Sequence, residues 1–280
     1  MNRTETGTSN RGYRRTTLGA VRVAMLGKGG SGKSTLAGLL CVELRRRDER
    51  VVAIDADTVP GLAPVLGMEP SDSWDLANMA IRDNGGWRLD GTPAEIVDRC
   101  AREAPNGIQF IQCGNVDADL RDVEFRRETH LAEWSGTIAF NSLSRQFDAD
   151  GGWAVVDLQG GTLQVAGGMA GTKGIALLIV EPFAKSVMTA RRFVGMGAWP
   201  AGLRLAAVAN KVASDEEAAY VEAEVAAMGV PLWVTVPADP AVRQAEREGR
   251  PLVTVDPASP AAAAVARLAD RLMETRQPVG

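Results

Sequence analysis

Cysteine is scarce in this 280-residue sequence and is not arranged for pairing. Cys41, Cys100 and Cys113 are odd in number and show no C-x-C or C-x-x-C spacing, which argues against a disulfide framework and for a reducing, cytoplasmic compartment. Long apolar runs are lacking too. No stretch of about eighteen apolar residues occurs, so no membrane span is expected. Neither sign of charge dominates. A net charge of −4 provides no basic field over the whole surface to attract nucleic acid or anionic lipid, although local patches such as Arg191-Arg192 remain. Aromatic residues make up 5% of the chain, and the six tryptophans are dispersed without the interleaved basic residues of a base-stacking platform. The one histidine, His130, reads as a surface or helix-packing residue.

With 45% hydrophobic and 24% charged residues, the composition is that of an ordinary soluble protein long enough to bury a sizeable core. Short apolar runs alternate with helical segments, the pattern of a doubly wound α/β fold whose mostly parallel sheet carries helices on both faces. About seven strands are expected, over 21–26, 51–54, 108–112, 153–158, 175–180, 205–209 and 231–236. Helices are expected over 34–47, 94–104, 186–195, 215–228 and 259–276, the last with Val265, Leu268 and Leu272 on one face. The first twenty residues hold Arg14-Arg15 ahead of a short apolar stretch, which resembles a twin-arginine signal only superficially. Residues 1–19 are therefore expected to be a disordered tail, and 20–276 a single domain. Within it, 114–150 is a less regular insertion holding Arg121, Arg126, Arg127, His130 and Trp134, and 277–280 is a short tail.

The segment that carries chemistry is Gly27-Lys28-Gly29-Gly30-Ser31-Gly32-Lys33-Ser34-Thr35, set between an apolar run and a helical one. It fits the phosphate-loop pattern G-x-x-x-x-G-K-[ST]. Glycines let successive backbone N–H groups turn inward around an anion, and the helix that follows aims its positive end at the same point. Lys33 is expected to reach the β and γ phosphates and Ser34 to ligate Mg²⁺.

Three further constellations lie at strand ends, where ligands bind in doubly wound sheets. Asp55-Ala56-Asp57 follows the second run. Asp57 is placed to orient an attacking water, and Asp55 to hold Mg²⁺ through water. Trp153 to Asp157 is an apolar run ending in a carboxylate suited to Mg²⁺, followed by Gly160-Gly161, whose backbone can approach a γ-phosphate. Asn210-Lys211 can meet a purine edge. Ala213 stands where a guanine reader has Asp, which favours ATP over GTP. Pro237 and Asp239, after the last run, can close over the base, whereas Cys113 reads as a small buried apolar residue rather than a metal ligand.

Together these residues resemble the MinD/ParA group of P-loop ATPases, in the SIMIBI class with a deviant Walker A loop, over residues 21 to about 254. Within that group they look most like the CooC-type ATPases that assist nickel insertion into carbon monoxide dehydrogenase. The resemblance rests on Lys28 to Thr35, Ile54 to Asp57 with Leu62 and Leu66-Gly67, Val156 to Gly161, and Ile179 to Pro182 with Ser186 and Ala190. It extends to Ala209 to Lys211 and to Val236 to Asp239 with Ala245 and Gly249 to Pro251.

The resemblance implies an ATPase that is slow on its own and forms a homodimer with ATP sandwiched at the interface. Lys28 would cross that interface to the partner's phosphates. Lys33 and Ser34 would bind phosphate and Mg²⁺, Asp57 would position the hydrolytic water and Asp157 would support the metal, with Gly29 to Thr35, Asn210, Lys211, Pro237 and Asp239 around the nucleotide. It also implies action on a partner protein, in enzyme or metallocofactor maturation, or alternatively on DNA or a cellular surface in partition. Departures from the family pattern are Cys113-Gly114-Asn115 where CooC proteins carry a metal-binding C-x-C pair, and Thr58, Leu158 and Gln159 around the switch segments.

Overall fold

All seven expected strands form, and they lie in one sheet. The computed structural model describes residues 21–57, 60–71, 79–83, 86–113, 152–162, 165, 170–197 and 199–276. In chain order the elements are β1 (Val21–Gly27), α1 (Lys33–Arg46), β2 (Val51–Asp55), α2 (Leu62–Val65), β3 (Ala80–Asp83), β4 (Gly86–Leu89), α3 (Pro93–Cys100), β5 (Arg102–Glu103) and β6 (Gln109–Gln112). They continue with β7 (Trp153–Asp157), β8 (Lys173–Val180), α4 (Ala184–Gly195), β9 (Gly202–Val212), α5 (Asp215–Ala227), β10 (Leu232–Pro237), α6 (Pro240–Arg247), a 3-10 turn (Leu252–Thr254) and α7 (Pro260–Glu274). The expected tail 1–19, the insertion 114–150 and the segment 277–280 lie outside the described residues, as does Thr58.

The sheet runs β10-β9-β8-β1-β7-β2-β6-β5 and is parallel except for β5, which pairs antiparallel with β6. An eighth strand thus joins the seven expected. Its origin is also why the helix expected over 94–104 stops at Cys100: Arg102 and Glu103 pair with Phe110 and Gln109, and the Arg102 guanidinium lies 5.4 Å from the Phe110 ring centre. The hairpin β3–β4 and the short helices α2 and α6 carry no strong periodicity and were not expected.

Both faces of the sheet are covered, which is why its central strands read as unbroken apolar runs. Val23, Met25, Ala53, Val155 and Leu177 face α1, α2, α6 and α7. Ala24, Leu26, Ile54, Val156 and Leu178 face α3, α4 and α5. Gly38 lies inside α1 because α2 crosses close by: a Cβ there would stand 2.0 Å from the Val65 methyl. On the other side of α1, α7 buries Val265, Leu268 and Leu272, the face its spacing predicts.

The amino-terminal edge of the sheet is tied by a polar cluster. Glu49 accepts from Arg276 Nη1 at 2.7 Å and from the Trp153 indole N–H at 3.0 Å, and the Arg276 guanidinium lies over the Trp153 ring. Among the described residues no helix is long and apolar enough to cross a membrane.

Leu268 is fully buried between α7 and the sheet. Leu268→Ala should lower unfolding free energy by about 2–5 kcal/mol, read from the urea midpoint at unchanged m-value.

Candidate nucleotide site

The carboxyl ends of β1, β2, β7, β8 and β9 come together at one edge. Met25 is in register with Asp157, Asp157 with Asp55, Gly27 with Ile179, and Val180 with Ala209. β1 also lies where the connections diverge, β2 to one side and β9 to the other, which is where an open α/β sheet leaves a crevice. The loop between β1 and α1 occupies it.

The loop is folded as an anion nest. Gly27, Gly30 and Gly32 take φ values of 154°, 80° and 90°. Gly27 and Gly32 have no space for a side chain either: a Cβ would stand 2.8 Å from the Ile179 carbonyl in the first case and 2.4 Å from Asn210 Nδ2 in the second. α1 starts at Gly32, which offers no capping side chain. Lys33 is buried and its ammonium donates to the Lys28 carbonyl at 3.3 Å, beneath the exposed Gly29 and Gly30. Half-buried Lys28 folds onto its own loop, donating to the Gly29 carbonyl at 3.1 Å. Burial lowers the Lys33 pKa, with Asp157, Asp57 and Glu181 opposing the shift and Lys28 adding to it.

The three expected carboxylates sit in different environments. Asp55 is fully buried, and its two oxygens accept from the backbone N–H groups of Asp57 (3.1 Å), Gly61 (2.9 Å) and Leu62 (2.8 Å). It holds the start of α2 and the turn that carries Asp57. Asp57 is half-buried beside it, close enough for its charge to act on Lys33 and Asp157. Asp157 is buried, yet neither oxygen accepts a well-formed hydrogen bond among the described residues. Burial raises its carboxyl to about 6 against the pull of the nearby Ser34 hydroxyl and Lys33, with the charge of Asp57 adding to the rise. Asp55 is likewise raised well above the ordinary range, by burial and by the charge of Asp157. Behind them, Gly160 touches the loop: a Cβ there would stand 2.7 Å from Gly29 N and Cα.

The β9 side also reaches the loop. Asn210 Nδ2 donates to the Ser31 carbonyl at 2.7 Å, and Lys211 Nζ to the Gly30 carbonyl at 2.6 Å and to Glu181 Oε1 at 3.1 Å. Two expected nucleotide contacts are engaged elsewhere. The Thr35 hydroxyl donates to Glu246 of α6. Asp239 caps two helices, accepting from Ala241 N–H of α6 at 2.8 Å and Ala261 N–H of α7 at 2.9 Å. Pro237 ends β10 in register with Val212, one residue beyond Lys211.

Cys113 follows β6, where its N–H donates to the Asp55 carbonyl at 2.8 Å; burial raises its thiol pKa. Glu181 and Glu246 are additions to the expected set, while Gly160 lies against the loop as its place after Asp157 suggests. Glu181 could have been found from its place one residue past a strand end, the rule that singles out Asp157; Glu246 gives no such sign.

Residues 23–252 match the CobQ/CobB/MinD/ParA nucleotide binding domain. The chain belongs to this nucleotide-binding family. It is 26% identical over 271 residues to an uncharacterized ATP-binding protein of Methanocaldococcus jannaschii, spanning 92% of this chain and 89% of that protein. To the carbon monoxide dehydrogenase accessory protein CooC of Rhodospirillum rubrum it is 24% identical over 274 residues, 91% of this chain and 99% of CooC. Its fold superposes on the septum site-determining protein MinD of Pyrococcus horikoshii, solved with Mg-ADP, with a TM-score of 0.67 at 21% identity, covering 90% of this chain and 95% of MinD. In this MinD/ParA-type chain the fold and the P-loop are those the sequence resembles.

In this nucleotide-binding domain the raised carboxyls set a pH dependence. Asp157 holds its proton more tightly in the folded than in the unfolded chain, so at this group the folded state binds more protons from the ordinary carboxylate range up to about pH 6, and Asp55 shifts in the same direction. Stability falls as pH rises through that window and the loss persists above it. Asp157→Asn should therefore make the nucleotide-free protein more stable than wild type by about 1–3 kcal/mol near pH 7.5, and the gain should vanish near pH 4. Urea unfolding at the two pH values measures this; an equal gain at both would refute the role given to burial.

Proposed function

We propose that the protein is an ATP-binding and ATP-hydrolysing switch that dimerises on ATP and acts on a partner protein, in enzyme or metallocofactor maturation. The observation that carries this reading is the buried Asp157 carboxylate, its oxygens lacking well-formed hydrogen bonds, beside Ser34 and Lys33 at the floor of a preformed phosphate loop. A carboxylate buried with so little hydrogen bonding is costly, and a divalent cation held there would offset that cost. Similarity to CooC along nearly the whole chain supports the maturation reading, and the exposed Gly29 and Gly30 beside Lys28 support the dimer.

The chemistry follows from the chain's own groups. The N–H groups of Gly29 to Thr35 and the positive end of α1 bind the β and γ phosphates. Lys33, buried at the floor, neutralises charge that grows on the transferred phosphoryl group. Asp57, held by Asp55, orients the attacking water in line. A magnesium ion on Ser34 and Asp157, with Asp55 behind them, would supply further charge neutralisation at the β and γ oxygens. Lys28, on the open side of the loop, bonds within the loop itself to the Gly29 carbonyl and crosses to a second copy's phosphates. The carboxyl end of β9 at Asn210 and Lys211, whose side chains hold the loop, borders the base, with the backbone at Pro237 and Asp239 closing behind it. Without a carboxylate at position 213, adenine is preferred to guanine.

Gly160, pressed on Gly29, registers the presence of the γ-phosphate and passes it to the interface. The partner reads that difference. No C-x-C pair accompanies Cys113, so the cargo is not assigned to nickel.

Lys33→Ala should abolish binding of a fluorescent ATP analogue, and Asp57→Ala should bind ATP without turnover and elute as a dimer on size exclusion. Adding Lys28→Ala to Asp57→Ala should return it to monomer. Retained turnover in Lys33→Ala refutes the reading. Affinity capture with the trapped Asp57→Ala protein should retrieve a maturation partner; salt-sensitive DNA binding that needs ATP would instead support the partition reading.

A further inference from the structure

The Asn210–Lys211 step of β9 departs from strand geometry. Between the pairs Thr235–Ala209 and Pro237–Val212, β9 carries one residue more than β10, and Lys211 has a φ of 58°. Left-handed backbone is disfavoured for any residue with a Cβ, and where it persists the surroundings must enforce it. A bulge of this kind redirects side chains that would otherwise leave on opposite faces. Here its effect is that two consecutive residues grip the same loop, Asn210 at the Ser31 carbonyl and Lys211 at the Gly30 carbonyl.

Lys211 is itself held from behind. Glu181 is 6% exposed, and its Oε1 accepts from Lys211 Nζ at 3.1 Å. The Glu181 N–H donates to the Ser186 hydroxyl at 2.9 Å, fixing the backbone that presents the carboxylate. β9, β8 and β1 are neighbours in that order, so the lysine stem crosses the end of β8 to reach the loop that follows β1.

The consequence follows from peptide geometry. In a planar trans peptide the C=O and the N–H point in opposite directions. Pulling the Gly30 carbonyl outward turns the Ser31 N–H inward, and pulling the Ser31 carbonyl outward does the same for Gly32. At present the Ser31 N–H makes only a long bond, 3.2 Å, to the Lys28 carbonyl across the loop.

We propose that Lys211, aimed by the bulge and held by Glu181, is a positioning residue that presets the Gly30–Ser31 peptide for a nucleotide's phosphates. This role rests on the reading of the loop as an ATP site.

The experiment uses ADP as the probe on the full chain, with affinity from calorimetry and the melting temperature of the nucleotide-free protein as a separate readout. The double variant Glu181→Gln/Lys211→Gly removes the grip without leaving a buried charge unpaired and relieves the left-handed residue. It should bind ADP about tenfold more weakly, the scale of one charge-assisted hydrogen bond, while its nucleotide-free melting temperature is no lower than wild type. Glu181→Gln alone keeps the lysine and should weaken ADP binding by a smaller factor. A lowered melting temperature with wild-type ADP affinity would mean a structural ion pair only and overturn the proposal, as would wild-type affinity in both variants. Wild-type protein that binds no ADP would overturn the ATP reading itself, and the proposal with it.

Discussion

Parallel pairing of β1 with β7 on one side and β8 on the other is the constraint on which the rest depends. A parallel sheet delivers every strand's carboxyl end to the same edge, so residues far apart in sequence meet without any long connection having to be ordered for the purpose. Asp55, Asp157, Glu181 and Asn210 are each the last residue of a strand, the residue just past it, or close to its end. Their convergence on the Gly27 to Ser34 loop is a property of register. A slip of one residue in β7 would move Asp157 away from both Met25 and Asp55 and reverse the faces of Val155 and Val156.

The site is bought with stability. Four acidic groups, Asp55, Asp57, Asp157 and Glu181, and two lysines are linked by their charges, in surroundings dry enough to raise two of the carboxyls above their usual values. Asp55 is compensated by three backbone donors, whereas Asp157 is not. That asymmetry separates a carboxylate that shapes the loop from one available to a ligand, although both end a strand with the same residue type.

Most of the fold was legible because a parallel sheet buried on both faces writes itself as apolar runs of strand length, and all seven runs became strands. What escaped notice had no periodic signature: β5 is two residues long, and the β3–β4 hairpin and α6 lack sustained patterns. The phosphate loop and the strand-end aspartates were equally plain, since motif spacing and position after a strand are sequence properties. The partners of those groups were not. Nothing in the spelling of Thr35 or Asp239 reveals that one hydroxyl meets Glu246, 211 residues on, or that one carboxylate caps both α6 and α7. The bulge at Asn210–Lys211 was hidden for the same reason, because it is defined by the count of residues on a neighbouring strand.

At the opposite edge, Arg276, Glu49 and Trp153 join the last helix, the turn before β2 and the start of β7. For β7 to slide along β2, this cluster would have to come apart, leaving the buried Arg276 guanidinium and the half-buried Glu49 carboxylate in mismatched surroundings. The molecule therefore has a clamped end and a working end, like a tuning fork held at its base. On the proposed reading, a nucleotide held at the Gly27 to Ser34 loop would act at the ends of β1, β2 and β7 farthest from this cluster, leaving the pairing of β7 with β2 in place.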